Sequence, residues 1–272
     1  MKPIPQKKYQ TVLLEILKAF QNYCNQHEIK LLLCGGSALG AVRHKGFIPW
    51  DDDVDLYIFR DGFEKLMSLA TEDPFIDKEK RYRILLPGKL PCVYPFFNVI
   101  DTKTIVYERN IAKKYATGVW IDVFCLSYWS DNPKLAKKQF RQQQFYKKMN
   151  QLIIGGNYRQ KKYKIMEIFA YPVRVLLLLF GMNSEYWCKK MLAVDQYRSG
   201  LYMGNICWPE SFMKEHYKAK WFKDSIEVPF EDITARIPKE YDAVLTNFYG
   251  DYMTPPPREK RIRHNPDAFY VD

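Results

Sequence analysis

The chain has 272 residues, 47% hydrophobic and 27% charged, enough to bury a substantial core as one large or two small domains, so a disordered or fibrous chain is excluded. Lys and Arg number 42 against 31 acids, a formal excess of +11, and between Lys134 and Lys190 thirteen basic residues face two acids, so one segment holds the whole excess. No charged n-region followed by an apolar h-region opens the sequence, and six cysteines among apolar neighbours lack CxxC spacing, which excludes a secreted disulfide scaffold and predicts buried thiols in a cytoplasmic protein.

In chain order, Leu13, Ile16, Leu17, Phe20 and Cys24 fall at helical spacing and predict an amphipathic helix over residues 10–28. "KLLLC" is an apolar run ending in Gly-Gly, as a buried strand would. "ALGAVRH" predicts a short helix, "VDLYIF" a second strand and "FEKLMSLA" another helix, while "RYRILL", "FFNVIDTKTIVYE" and "GVWIDVFCL" read as further strands. Helices dominate from Pro133 to about Ser199. There "IMEIFAYPVRVLLLLFGM" is interrupted by Glu167, Pro172 and Arg174, short of the roughly 20 apolar residues a membrane span needs. Two readings of this basic segment stand: a solvated helical pair with one core face, or a surface attracted to anionic lipid headgroups. A last helix is expected near Lys239–Phe248, and "YGDYMTPPPREKRIRHNP" should be an irregular basic strap. The expected class is α/β, an α+β mixed sheet: a catalytic core over 1–132, a basic helical region over 133–200, and a C-terminal part over 201–272 that packs back on the core.

The stretch "CGGSALGAVRHKGFIPWDDDVDLYI" concentrates the chemistry. Side chains alternate along a strand, so Asp53 and Asp55 project from one side while Val54 and Leu56 enter the core. Two adjacent carboxylates repel unless a cation joins them, and oxygen ligands of this kind suit Mg²⁺ or Mn²⁺ bridging to phosphate. Asp51 shares their parity; Asp52 does not. Gly35-Gly36-Ser37 ahead of a helix lets backbone N–H groups approach a phosphate. A third carboxylate is expected from Asp122 in "VWIDVF", with Asp101 in "FFNVIDTKT" as the rival at a strand end.

"GGSALGAVRHKGFIPWDDDVDL" resembles the signature of the LicD family of phosphocholine transferases, related to fukutin and fukutin-related protein. The likeness extends through "GVWIDVF" to "YGDYMTPPPREKR", from about Tyr23 to His264. The resemblance implies a nucleotidyltransferase-like core with a helical insertion. It also implies metal carboxylates at Asp53, Asp55 and Asp122, a phosphate turn at Gly35, Gly36 and Ser37, and Arg43 and His44 as neighbours of the donor. Arg43 and His44 could equally brace the acidic loop, and Arg258, Lys260, Arg261 and His264 are either phosphate contacts or a solvated tail. The choline group that the resemblance implies would be served by an aromatic cage, for which Trp50, Trp120 and Trp129, close to the acids in sequence, are candidates, although most such rings are core.

The implied reaction is Mg²⁺-dependent transfer of choline phosphate from CDP-choline to a hydroxyl of a teichoic-acid or lipopolysaccharide precursor, with release of CMP. A CDP-alcohol donor, a lipid-linked glycan acceptor and the inner membrane surface are the expected partners, with no nucleic acid, and the expected location is peripheral at the cytoplasmic face. Transfer of ribitol, glycerol or ethanolamine phosphate, a nucleotidyltransferase acting on RNA or small nucleotides, and a noncatalytic assembly protein are the alternatives.

Overall fold

In the computed structural model, residues 1–156, 158, 160–257, 259, 261 and 267–271 are described. A short strand, β1 (Lys2–Pro3), leads into α1 (Gln6–Gln26). Leu13, Ile16, Phe20 and Cys24 of α1 are fully buried, which fulfils the 3.6-residue spacing. Then follow β2 (Leu31–Leu33), α2 (Gly35–His44), β3 (Asp55–Phe59), α3 (Arg60–Glu72), β4 (Tyr82–Leu85), β5 (Phe97–Tyr107) and β6 (Thr117–Tyr128). The helix expected from Ala38 starts three residues earlier, so Gly35, Gly36 and Ser37 form its first turn. Next come α4 (Pro133–Ile154), α5 (Lys161–Leu179), α6 (Ser184–Val194), β7 (Tyr202–Asn205), β8 (Tyr217–Lys218), β9 (Ser225–Phe230), β10 (Ile233–Pro238), α7 (Tyr241–Tyr249) and β11 (Asp267–Tyr270).

The main sheet runs β1-β11-β5-β6-β3-β2, with β4 added on β5 and β7-β8 on β6; β9 and β10 form a separate hairpin. It is mixed but mostly antiparallel: β3 and β6 pair in parallel, because the chain crosses through α3, β4 and β5 between them. The expected α/β class holds. Strand β11 follows the stretch expected as an irregular strap: Asp267–Tyr270 pairs antiparallel with β5 and receives β1 on its other edge. Four residues are too few to show a strand period, so edge pairing decides this element.

The two faces of the sheet differ. Leu56, Ile58, Val123 and Cys125 join α1 and α3 in the largest core. Leu32, Tyr57, Phe124 and Leu126 face the other way and pack with Phe96, Met203, Tyr217 and Phe222. Helix α4 starts at Pro133 behind Asn132, whose side chain accepts from the Lys134 and Leu135 amides. Its inner face is unusually polar. Gln139 and Gln143 donate to the Val194 and Met191 carbonyls of α6, and Asn150 donates to Val93 O.

Candidate active site

Register brings the acids together. Asp55 opens β3 opposite Asp122 on β6, and Asp122 lies opposite Asn98 on β5, giving a row Asp55–Asp122–Asn98 across three strands. Parity puts this row on the face of Tyr57 and Phe124, while Val54 and Leu56 are fully buried on the opposite face. Asn98, itself buried, donates to Asp122 Oδ1 at 2.6 Å and receives the Cys92 thiol at 3.3 Å. Burial pushes Asp55 well above the usual carboxylate range, and the charges of Asp53, Asp122 and Asp51 push it further.

Glycine makes the neighbouring turn possible. Gly35 has φ +51°, and a Cβ there would stand 3.1 Å from Asp55 Oδ2; a Cβ on Gly36 would stand 2.8 Å from Asp51 Oδ2. Two carboxylates therefore lie against the first turn of α2, where the helix dipole favours negative charge. The expected open phosphate turn is thus already occupied by the protein's own acids on this side. Ser37 is buried, and its Oγ accepts the Asp55 amide at 3.0 Å, tying α2 to β3.

Asp53 stands just before β3, half-buried. Asp52 is buried on the opposite parity; its charge, with those of Asp53 and Asp122, adds to burial in raising the phenol of Tyr9 on α1. Next to Tyr9, Gln10 donates to Asp51 O at 2.8 Å and Ile48 O at 3.3 Å, so α1 holds the acidic loop by its backbone. Asp101, the rival third carboxylate, is fully buried and bound to Arg81, with Nη2 at 2.8 Å. It is a structural ion pair three residues along β5 from Asn98, on the opposite face of the strand by parity, and its carboxylate is satisfied by arginine.

Arg43 and His44 brace the C-terminal segment: Arg43 Nη1 donates to Tyr252 O at 2.7 Å and its Nε to His44 Nε2 at 3.0 Å. Burial lowers the pKa of both groups; the charge of Arg261 lowers Arg43 further, and the charge of Arg43 lowers His44 further. Arg261 lies 4.0 Å over the Trp50 ring and donates to Pro256 O. Arg258, Lys260 and His264 lie outside the described residues. Of the tryptophan candidates for a cage, Trp129 is set apart from the acids. Trp129 is fully buried with Ala136 and Ile206, its indole donating to Glu215 O, because strand parity turns it into a separate core. Trp50 is covered by Arg261, and Trp120 packs beside Leu85, Cys92 and Ile100.

The aromatic wall near the acids comes from elsewhere in the chain. A narrow cleft opens beside Cys34, Gly35 and Ala38 and is walled by Tyr57, Tyr217, Phe222, Tyr241, Phe248 and Tyr249. The Tyr249 phenol is raised by burial and by the charges of Asp55 and Asp51, which sets it next to the acid row. Beyond Asp55 lies a second polar group: Lys147 of α4, 4.2 Å over the Trp208 ring, with Glu210 and buried Glu215. No local sequence signal marks Tyr249, Lys147 or Glu215, because only the fold carries them to the site.

The donor set suits a hard divalent cation, since it consists of carboxylate oxygens whose mutual repulsion a cation would relieve. Among the described residues no three His, Cys, Asp or Glu side chains are already closed into a ligand cluster.

Residues 28–86 match the family described as LicD/FKTN/FKRP, nucleotidyltransferase domain. The match lies within the first third of the chain. It spans β2 to β4 and so includes the glycine turn and the acids at 51–55, whereas Asp122, Asn98 and Tyr249 lie outside the matched residues. The chain is also 26% identical over 285 aligned positions to the lipopolysaccharide cholinephosphotransferase LicD of Haemophilus influenzae, covering 100% of both chains. An uncharacterised Rickettsia prowazekii protein is 33% identical over 60 residues, 22% of this chain and 23% of that one. The LicD-type likeness thus runs through both the turn and the strands that complete the acid row.

Proposed function

We propose that the protein transfers choline phosphate from CDP-choline to a hydroxyl of a lipopolysaccharide or related lipid-linked glycan such as a teichoic-acid precursor, releasing CMP. The observation that carries this reading is the register of Asp55 with Asp122 beside the Gly35–Gly36 turn, in a chain similar from end to end to a lipopolysaccharide cholinephosphotransferase. Asp53, Asp55 and Asp122 would hold Mg²⁺ or Mn²⁺. When bound, such an ion neutralises phosphate charge and aligns attacking and leaving oxygens.

The chain's own groups then have distinct tasks. The acceptor oxygen forms a bond to the donor's choline-bearing phosphorus as the bond from that phosphorus to the CMP oxygen breaks. The acceptor proton passes to a carboxylate of the row; Asp122, oriented by Asn98, is the assigned base. Ser37 and Gln10 hold the strand and loop that present the acids. The aromatic cleft beside Gly35 supports a quaternary ammonium over a neutral alditol, because aromatic faces attract cations.

The test is a panel of CDP-choline, CDP-ethanolamine, CDP-glycerol and CDP-ribitol with Mg²⁺, scored by CMP release with and without glycan acceptor. CDP-choline should be used best, and Asp55→Asn should stop release. Turnover that prefers a neutral alditol donor would move the proposal to that alcohol, and turnover undiminished in Asp55→Asn would remove the row from the reaction.

A further inference from the structure

Helix α5 is amphipathic the wrong way round for a protein in water. Its two charged residues between Ile165 and Leu179, Glu167 and Arg174, pair with each other, and Arg174 also donates to Leu152 O of α4. Together with Ala170 and Leu177 they form the half-buried stripe that leans on the protein, at helical spacing. Everything else turned outward is apolar: Ile168 is 68% exposed, Phe169 76%, Leu176 54%, Leu179 78% and Phe180 72%. Water-facing helices place polar residues outside and apolar ones inside. An exposed apolar patch of this extent marks an interaction surface.

The length and the neighbours decide what covers it. Fifteen residues from Ile165 to Leu179 rise about 22 Å, short of the roughly 30 Å hydrocarbon core. Among the described residues no single helix is long and apolar enough to cross a membrane, although α5 and α6, bent by 79°, pass such a test together. That pair is ruled out as a re-entrant span, because Trp187, Cys188, Met191 and Val194 of α6 are buried inside the protein. The helices before and after α5 carry one-sided charge. Lys137, Lys138, Arg141 and Lys148 of α4 and Lys189 and Lys190 of α6 are exposed. The two acids of the segment are each bound to a basic partner, Glu167 to Arg174 and Glu185 to Lys89. An exposed face of apolar rings and aliphatic chains, on a helix between two basic ones in the chain, matches the headgroup–acyl boundary of an anionic bilayer.

We infer that α5 lies in the surface of an anionic membrane, its Phe169–Leu176–Leu179–Phe180 side sunk into the acyl boundary and its Glu167–Arg174 stripe against the protein. This docking is independent of the transferred group and is tested without turnover. The full chain is floated with vesicles of phosphatidylcholine and phosphatidylglycerol, and with phosphatidylcholine alone. The wild type should float with the anionic vesicles, less so at raised salt, and Phe169→Glu/Leu179→Glu should lower partitioning about 10-fold or more. Both positions are exposed, so the variant should melt as the wild type does; Lys189→Glu/Lys190→Glu, a second variant, should weaken binding to anionic vesicles alone. A fluorophore on Phe169→Cys, where the native thiols are buried, should shift to the blue on vesicle addition. No flotation at low salt, or equal flotation of the Glu variant, overturns the inference. So does a wild-type dimer that the Glu variant dissociates while vesicles recruit neither form, since the face would then belong to a second copy of this chain.

Discussion

Two kinds of buried carboxylate coexist within this sheet and its edges. Asp101 and Asp195 are buried with arginine: Arg81 forks onto Asp101, and Arg60 reaches Asp195, which also takes the Ser127 hydroxyl at 2.6 Å. Asp55 is surrounded instead by Asp53, Asp122 and Asp51, and has a glycine turn where a basic residue would have relieved it. Charge burial costs several kcal/mol unless a partner compensates. Arginine makes the first kind a fixed part of the fold. Among the described residues Asp55 has no such arginine, and a cation drawn in from outside would relieve it, which separates a reaction site from a strut.

The largest expected effect breaks the comparison at Asp55. Asp55→Asn should lower turnover about 10³-fold while leaving the melting temperature of metal-stripped protein equal or higher, because it removes like-charge repulsion. The sign follows from the raised carboxyl: a group that binds its proton more tightly folded than unfolded destabilises the fold as pH rises above its unfolded value. Turnover kinetics and thermal melts of one preparation check both. Arg81→Ala should do the reverse. It leaves Asp101 buried without its guanidinium and should cost about 3 kcal/mol by urea unfolding, with kcat of the folded fraction unchanged. If the two variants behaved alike, the distinction between strut and site would fall.

How far the sequence foretold this depends on where each signal is written. Local patterns carried α1, β2, β3, β5 and β6, because a buried stripe or an apolar run is visible inside a short window. The row's acids were legible too: parity placed Asp53 with Asp55, and an acid among Val, Trp, Ile and Phe singled out Asp122. Asn98 was not, since an asparagine in a strand has no local signature and its meaning comes from the β5–β6 register. Tyr249 and Lys147 reach the site from α7 and α4 for the same reason. α4 hid its inner face because Gln139, Gln143 and Asn150 replace the apolar stripe that periodicity seeks. The Gly-Gly-Ser turn was read as a phosphate cradle, but the carboxylates of Asp51 and Asp55 claim its near side. A glycine shows only that something approaches closely, not what.

Glu215 sharpens the comparison as a third solution: a buried carboxyl with neither arginine nor a cluster of acids touching it. It accepts the Glu210 amide at 2.9 Å, and burial raises it from 4.5 to about 8, so it is protonated in the fold at neutral pH. Its folded value exceeds its unfolded one, and stability should therefore fall as pH rises from 4.5 through about 8. Glu215→Gln keeps the acceptor oxygen and removes that dependence. The variant should be more stable than the wild type at the alkaline end and differ almost not at all near the acid end. Melts across this range check it, and a gain that did not vary with pH would trace to packing instead.

The smallest effect concerns the wall between the two kinds of chemistry. Tyr249 is 38% exposed, so its replacement should cost the fold little, yet its hydroxyl feels Asp55 and its ring closes the aromatic cleft. Tyr249→Ala should raise KM for CDP-choline about 3- to 10-fold, the worth of one cation–π contact, and leave KM for CDP-glycerol nearly unchanged. Tyr249→Phe keeps the ring face and should restore the choline KM. Were Tyr249→Phe as damaging as alanine, and in kcat for both donors, the phenol would act on Asp55 itself, and the cleft would lose its claim on the quaternary ammonium.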